Sequence, residues 1–181
     1  MHHPPVTEQS DSKCVRLVQL APTVLTALLD GDLAQASARA GLTLTDFFLT
    51  EDARWLWQLR LDQIAGDPGS ARWVARAAVA EPDGVVVGYA GFHGPPDPAG
   101  MVEVGYSVAP DHRRRGYARA ILAELLRWAA AESGVRTVRA SISPDNTASL
   151  ATIAGFGFVD AGEQWDELDG RELLFERHRE A

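Results

Sequence analysis

Hydrophobic and polar positions change period several times along the chain, and each change predicts an element. Cys14 to Leu20 (CVRLVQL) alternates and predicts a first strand. After Ala21-Pro22-Thr23, Leu25, Leu28, Leu29 and Leu33 recur at helix spacing. A second helical stretch begins at Thr45-Asp46 and runs through Trp55 and Trp57 to Ile64, where Gly66-Asp67-Pro68-Gly69 stops it. From Ala71, ARWVARAAVA and VVVGYAGF flank Pro82-Asp83-Gly84 and predict an antiparallel hairpin that ends at the loop Gly94-Pro95-Pro96-Asp97-Pro98. Met101 to Ala109 alternates cleanly, with Val102, Val104, Tyr106 and Val108 on one face and Glu103, Gly105 and Ser107 on the other. Ile121, Leu122, Leu125, Leu126 and Ala129 mark the buried side of a helix closing at Gly134. Val135 to Ile142 predicts a strand, Asn146 caps a short helix over Thr147 to Ala154, and strands over Phe158–Glu167 and Arg171–Arg177 meet at the hairpin pair Asp169-Gly170.

This order predicts an α/β (α+β) fold: a mixed, mostly antiparallel central sheet of about seven strands flanked by about four helices. The 181 residues suffice for one domain, expected over 13–181, after a flexible N-terminus over 1–12. At 46% hydrophobic and 23% charged residues the composition is that of an ordinary globular chain. No apolar run reaches the ~20 residues of a membrane span and the start is polar, so no membrane partner and a cytoplasmic location are expected. Cys14, the single cysteine, excludes an internal disulfide and a cysteine zinc cage, and is expected as a buried thiol. His2 and His3 are a weak metal signal, and no metal is expected. The formal charge of −8 opposes a nucleic acid partner and suits an amine-bearing one. Lys13, the sole lysine, carries no assigned function.

The chemistry concentrates in Val102 to Ala118, VEVGYSVAPDHRRRGYA, where a strand turns into a basic, glycine-containing helix start. Free amides, the helix dipole and an absent side chain at Gly116 make such a start an anion site. Rossmann and Walker patterns are missing. An isolated triple arginine reads as a solvated run. Here, however, Arg113-x-x-Gly116-x-Ala118 matches the Arg/Gln-x-x-Gly-x-Gly/Ala motif of the GNAT N-acetyltransferases, with Glu103 before it and Asn146-x-x-Ser149 and Gly157-Phe158 after it in the family's order. Residues 70 to 178 resemble that superfamily, and the Asn-x-x-Ser form is similar to its branch related to ribosomal-protein N-terminal acetyltransferases.

The resemblance implies acetyl-CoA as cosubstrate, held in a V-shaped gap between central strands. Its pyrophosphate would lie on the loop of Arg113, Arg114, Arg115, Gly116, Tyr117, Ala118 and Arg119, with Asn146 nearby. Amide-rich pantetheine can pair like a strand with the main chain of Tyr106, Ser107 and Val108, where Gly105 and a bulge would permit close approach. The acceptor must lose a proton, since lysine titrates near 10.4 and an α-amine near 8. Glu103, at the position matching the family's catalytic glutamate, is the candidate base. The family's acid tyrosine corresponds to Ile153, so Ser149 or water is expected to protonate the leaving thiolate. His93 either orients the acceptor or assists the base, or else is structural, the last being favoured; Trp55, Trp57 and Trp73 either line the acceptor pocket or belong to the core. Glu163, Asp166, Glu167 and Asp169 either attract a cationic acceptor or are a solvated hairpin. The acceptor stays open between a protein amine and a small-molecule amine. The rival to an enzyme is a non-catalytic acyl-CoA-binding module, and an exposed sheet edge allows a homodimer.

Overall fold

The computed structural model describes residues 12–179, so the expected flexible N-terminus, with His2 and His3, lies outside the described residues except for Ser12. The described chain forms β1 (Cys14–Gln19), α1 (Pro22–Leu29), α2 (Leu33–Ala40), α3 (Glu51–Gly66), β2 (Arg76–Glu81), β3 (Val86–Phe92), β4 (Met101–Val108), α4 (Tyr117–Ala131), β5 (Thr137–Ile142), α5 (Thr147–Ile153), β6 (Val159–Asp166) and β7 (Gly170–His178). Its single sheet has the order β1-β2-β3-β4-β5-β7-β6, with every neighbouring pair antiparallel except β4 and β5.

Several expectations need correction. The first helical stretch is two helices, because Gly31 takes φ 75° and the Asp32 carboxylate accepts from the Gln35 amide at 2.9 Å, starting a new helix. The helix expected from Thr45 begins only at Glu51, after a 3-10 turn over Asp46–Leu49; the Thr50 hydroxyl is its cap, accepting from the Ala53 amide at 3.3 Å. Residues 68–72 form a 3-10 turn rather than the start of β2, since the Asp67 carboxylate binds both the Gly69 amide and the Ser70 hydroxyl. The seven-stranded, mostly antiparallel sheet with five α-helices otherwise bears out the expected fold. Cys14 is exposed, not buried: the alternation of β1 sends Val15 into the core and therefore turns Cys14 and Arg16 outward.

The core lies on both faces of the sheet's first half. Every residue of β3 is buried. On one face Tyr89 packs edge-on to Trp57 of α3 at 5.0 Å, and on the other Phe92 meets Trp128 of α4 at 4.7 Å. The branched and aromatic residues of β3 suit a strand covered on both sides, where alternation gives way to a continuous apolar run.

The pairing of β4 positions the site. Its register with β3 runs without interruption from Gly88 opposite Val108 to Phe92 opposite Val104, so the expected bulge is absent. Toward β5 only Met101, Val102 and Glu103 pair, with Thr137, Val138 and Arg139. Beyond Glu103 the two strands diverge, and this divergence exposes the β4 main chain in the bulge's place.

Candidate active site

At the wide end of the gap the chain leaves β4 and enters α4 through the arginine loop. The Arg113 Nε–H donates to the Val108 carbonyl at 3.0 Å and ties the loop to the strand. Arg114 (φ 57°) and Gly116 (φ 86°) both adopt the left-handed conformation, which turns successive amides toward one side. Gly116 caps α4 without a side chain, and the helical ladder begins with the Ala120 amide bonding the Gly116 carbonyl at 3.1 Å. The amides of Tyr117, Ala118 and Arg119 precede that bond and have no partner within the helix. Unpaired amides, a dipole terminus and the exposed Arg114 and Arg115 form a cradle for an anion.

Two arginines of this loop and helix start have inward partners. Arg113 closes the loop as described. Arg119 donates to the carbonyls of Thr152 (3.1 Å) and Ala154 (2.9 Å), and its guanidinium lies 4.6 Å from the Phe156 ring centroid, bracing the end of α5 against α4. Lys13 was not expected at this loop, yet its Cγ lies 3.6 Å from where a Cβ on Gly116 would stand and its ammonium is 5.8 Å from the Tyr117 ring centroid. Its position before β1 gave no local signal, because only the pairing of β1 with β2 and its packing against α4 bring it there.

The opposite wall is α5. The Asn146 Oδ1 accepts from the Ser149 amide at 3.0 Å, so Asn146 caps this helix and orients Ser149. Tyr106 of β4 is half-buried with its phenol facing the hydroxyls of Ser149 and Thr152; burial pushes its pKa up, and those hydroxyls offset part of the rise. The phenol therefore keeps its proton at physiological pH. Sequence reading placed it at the cofactor for its main chain only; the side-chain juxtaposition depends on how α5 docks. Ile153, at the position of the family's tyrosine, is buried in the core.

On the other face of β4, the Glu103 carboxylate is 3.5 Å from the His93 Nδ1. The His93 main chain is fixed three times: its amide donates to the Glu103 carbonyl at 2.8 Å, and its carbonyl accepts from Gln63 at 2.8 Å and Arg60 at 3.1 Å, both on α3. A Cβ on Gly105 would stand 3.0 Å from the His93 Nε2, so the glycine admits the imidazole across β4. Half of the side chain reaches solvent, but protein flanks the ring closely, and loss of hydration lowers its pKa; Glu103 pulls it back up, Arg60 lowers it further and Asp169 raises it. The structure thus gives His93 a charged partner that the structural reading of it lacked. Opposite Glu103 on β5, Arg139 pairs with Glu176 of β7 at 2.6 Å.

The tryptophans divide. Trp57 is fully buried, its indole N–H donating to the Phe48 carbonyl at 2.9 Å, and Trp73 stacks on Trp128 at 5.6 Å, so both belong to the core. Trp55 is exposed. In the acidic hairpin, Glu163 pairs with Arg171 at 2.6 Å, and the amides of Asp169 and Leu168 hold Asp166 below the usual carboxylate range. A cavity of about 810 Å³ lies elsewhere, between the end of α4 and β7, and its lining includes Arg127, Arg136 and Arg177 but none of the expected site residues.

A mixed sheet that opens between β4 and β5, with an arginine- and glycine-containing helix start at one end of the gap, is the architecture that the comparisons also find. The sequence model of the acetyltransferase (GNAT) family matches residues 40–158, and the chain belongs to this family. It is 36% identical over 74 residues to the uncharacterized N-acetyltransferase YjdG of Bacillus subtilis, covering 41% of this chain and 44% of that protein. It is 33% identical over 129 residues to the L-2,4-diaminobutyric acid acetyltransferase of Nocardia farcinica, covering 66% of each. The chain thus spans 44% to 66% of these relatives' lengths. Among solved structures, the ribosomal-protein-S5-alanine acetyltransferase from Vibrio fischeri superposes with TM-score 0.58 at 18% identity, over 94% of both chains. Microcin C7 self immunity acetyltransferase MccE, in complex with acetyl-CoA and AMP, superposes with TM-score 0.62 at 12% identity, over 91% of this chain and 92% of that one. These likenesses show a shared fold.

Proposed function

We propose that this protein transfers an acetyl group from acetyl-CoA to a primary amine by direct attack. The observation that carries the reading is the continuity of the site: unpaired amides and arginines at the loop open onto a gap whose far end holds Glu103 and His93. The residues fit the cosubstrate. The amides of 114–119 with Arg114 and Arg115 would hold its pyrophosphate, and the main chain of Tyr106, Ser107 and Val108, left free by the divergence from β5, would hold its pantetheine amides. When bound, acetyl-CoA supplies an activated acetyl thioester. Glu103 anchors the machinery that removes the amine's proton, and the neutral Tyr106 phenol, beside Ser149, donates a proton at the thiol side. Cys14 stands exposed on β1, at the edge of the sheet and three places from β4, which favours direct attack over a cysteine-linked route.

The Nocardia relative and the Vibrio neighbour both act on primary amines, one on a small diamine and one on a protein alanine, and this supports an acceptor of that chemistry here. The reading is tested by thermal unfolding with acetyl-CoA and by release of free thiol. Acetyl-CoA is expected to raise the Tm, because a ligand bound only by the native state stabilises it. Thiol release on addition of 2,4-diaminobutyrate, spermidine or a peptide with a free alanine terminus is the expected result. A raised Tm with no thiol release across the panel would favour the non-catalytic binding module.

A further inference from the structure

We infer that His93, not Glu103, receives the acceptor's proton, and that Glu103 is a positioning residue acting through the imidazole; this rests on the transferase reading above. The geometry is directional. Nδ1 faces the Glu103 carboxylate, which accepts only, so the pair selects the tautomer with the proton on Nδ1 and leaves the lone pair on Nε2. Nε2 has no hydrogen-bond partner among the described residues and sits over Gly105, on the stretch of β4 that has parted from β5. The 3.5 Å separation from Glu103 exceeds a formed hydrogen bond by a few tenths of an ångström, a looseness common in acid–base pairs before substrate binds.

The surroundings are built for an uncharged imidazole that can accept a proton. The His93 amide's hydrogen bond to the Glu103 carbonyl and the two that its carbonyl accepts from the Gln63 and Arg60 side chains fix the backbone beneath the ring, an arrangement that solvated histidines do not require. The groups acting on it are Arg60 from α3, which keeps the proton off, and Glu103 from β4 and Asp169 from the β6–β7 turn, which stabilise the proton once it arrives. Imidazole basicity, near pKa 6.5, also lies closer to that of an ammonium than a carboxylate near 4.3 does, so transfer is less uphill. In the transfer, the amine forms its bond to the acyl carbon as the bond to sulfur breaks. The amine's proton passes to Nε2, the thiolate takes one from water or from Tyr106, whose phenolate solvent then reprotonates, and the imidazolium returns its own to solvent.

Two variants of the full chain, His93→Gln and Glu103→Gln, test this. The first readout is histidine NMR against pH and does not depend on turnover, with the His93 signal identified by its loss in His93→Gln. The expected wild-type result is the Nδ1–H tautomer, and Glu103→Gln should lower the His93 pKa and raise the Nε2–H fraction. A wild-type Nε2–H tautomer, or a pKa unmoved by Glu103→Gln, overturns the pairing. The second readout is kcat/KM against pH with the amine that gives the fastest thiol release. His93→Gln should lose about 10²- to 10⁴-fold and its acidic limb. Glu103→Gln should lose less and shift that limb to lower pH. A His93→Gln enzyme within a few-fold of wild type, with its acidic limb intact and acetyl-CoA still bound by titration calorimetry, overturns the assignment. If wild type binds no acetyl-CoA, the transferase reading fails, and the NMR result reports on the pair separately.

Discussion

Arg119→Met separates a strut from a phosphate ligand. In the structure the guanidinium gives one hydrogen bond to each of the Thr152 and Ala154 carbonyls and lies over Phe156, while the chain itself is exposed. Charge-assisted hydrogen bonds of this kind contribute about 1.5–3 kcal/mol when dry; solvent screening at an exposed site brings each to about 1 kcal/mol. The ring contact adds about 0.5–1 kcal/mol at such a site. Methionine preserves the apolar cover of the stem, so the expected loss is about 2–3 kcal/mol, which for a chain of this size is a fall in Tm of roughly 5–10 °C. Because α5 carries Ser149 and Thr152 against Tyr106, kcat should fall as well, and affinities for CoA and for pantetheine should change in parallel. Differential scanning calorimetry of the free protein and titration calorimetry with both ligands provide the measurements. An unchanged Tm with a loss of CoA affinity much larger than that of pantetheine would show that Arg119 holds phosphate and that the bracing argument is wrong.

Gly116→Ala forces a Cβ into the left-handed region and should cost about 1–2 kcal/mol while weakening acetyl-CoA binding; wild-type affinity by calorimetry would remove the loop from the cradle. Lys13→Gln should weaken CoA but not pantetheine, which paired calorimetric titrations check. Tyr106→Phe should lower kcat with little change in acetyl-CoA affinity, the deficit growing with acceptors whose thiol-side step limits turnover; an unaltered kcat for every acceptor would leave the proton to water. Burial raises both Tyr89 and Tyr106 above the unfolded value near 10, so their contribution is complete below that pH and is lost as pH climbs through the folded values; urea midpoints from pH 8 to 11.5 should fall at the alkaline end, less steeply in Tyr106→Phe.

The sheet and its order of elements were legible because alternation and helix period are local properties, as in β4, whose polar face of Glu103, Gly105 and Ser107 was read directly. Local reading failed where a single residue overrode the period. Gly31 and Asp32 divided a leucine-rich stretch into two helices, and the outward parity of Cys14 followed from which neighbour, Val15, faced the core. The arginine loop and the Asn146 cap were legible because their functions reside in adjacent residues. The His93–Glu103 and Tyr106–Ser149 juxtapositions were not, since each joins separate elements whose relation is set by strand register or helix docking. Gly105 was the one available hint: a side-chain-free position two residues after a lone carboxylate, on the polar face of a strand, leaves room for a ring from the neighbouring strand's end.

The parting of β4 from β5 after Glu103 also bears on how such a chain can diverge. A recess made by the separation of two strands presents main-chain donors and acceptors, which every residue except proline carries in full. What descent must preserve there is spacing and the absence of bulk, not the identity of side chains. The residues along β4 can then drift among those that keep the strand, while the loop that needs left-handed conformations cannot. The architecture is shared with the Vibrio fischeri protein at 18% identity, a degree of divergence that such unequal constraint permits.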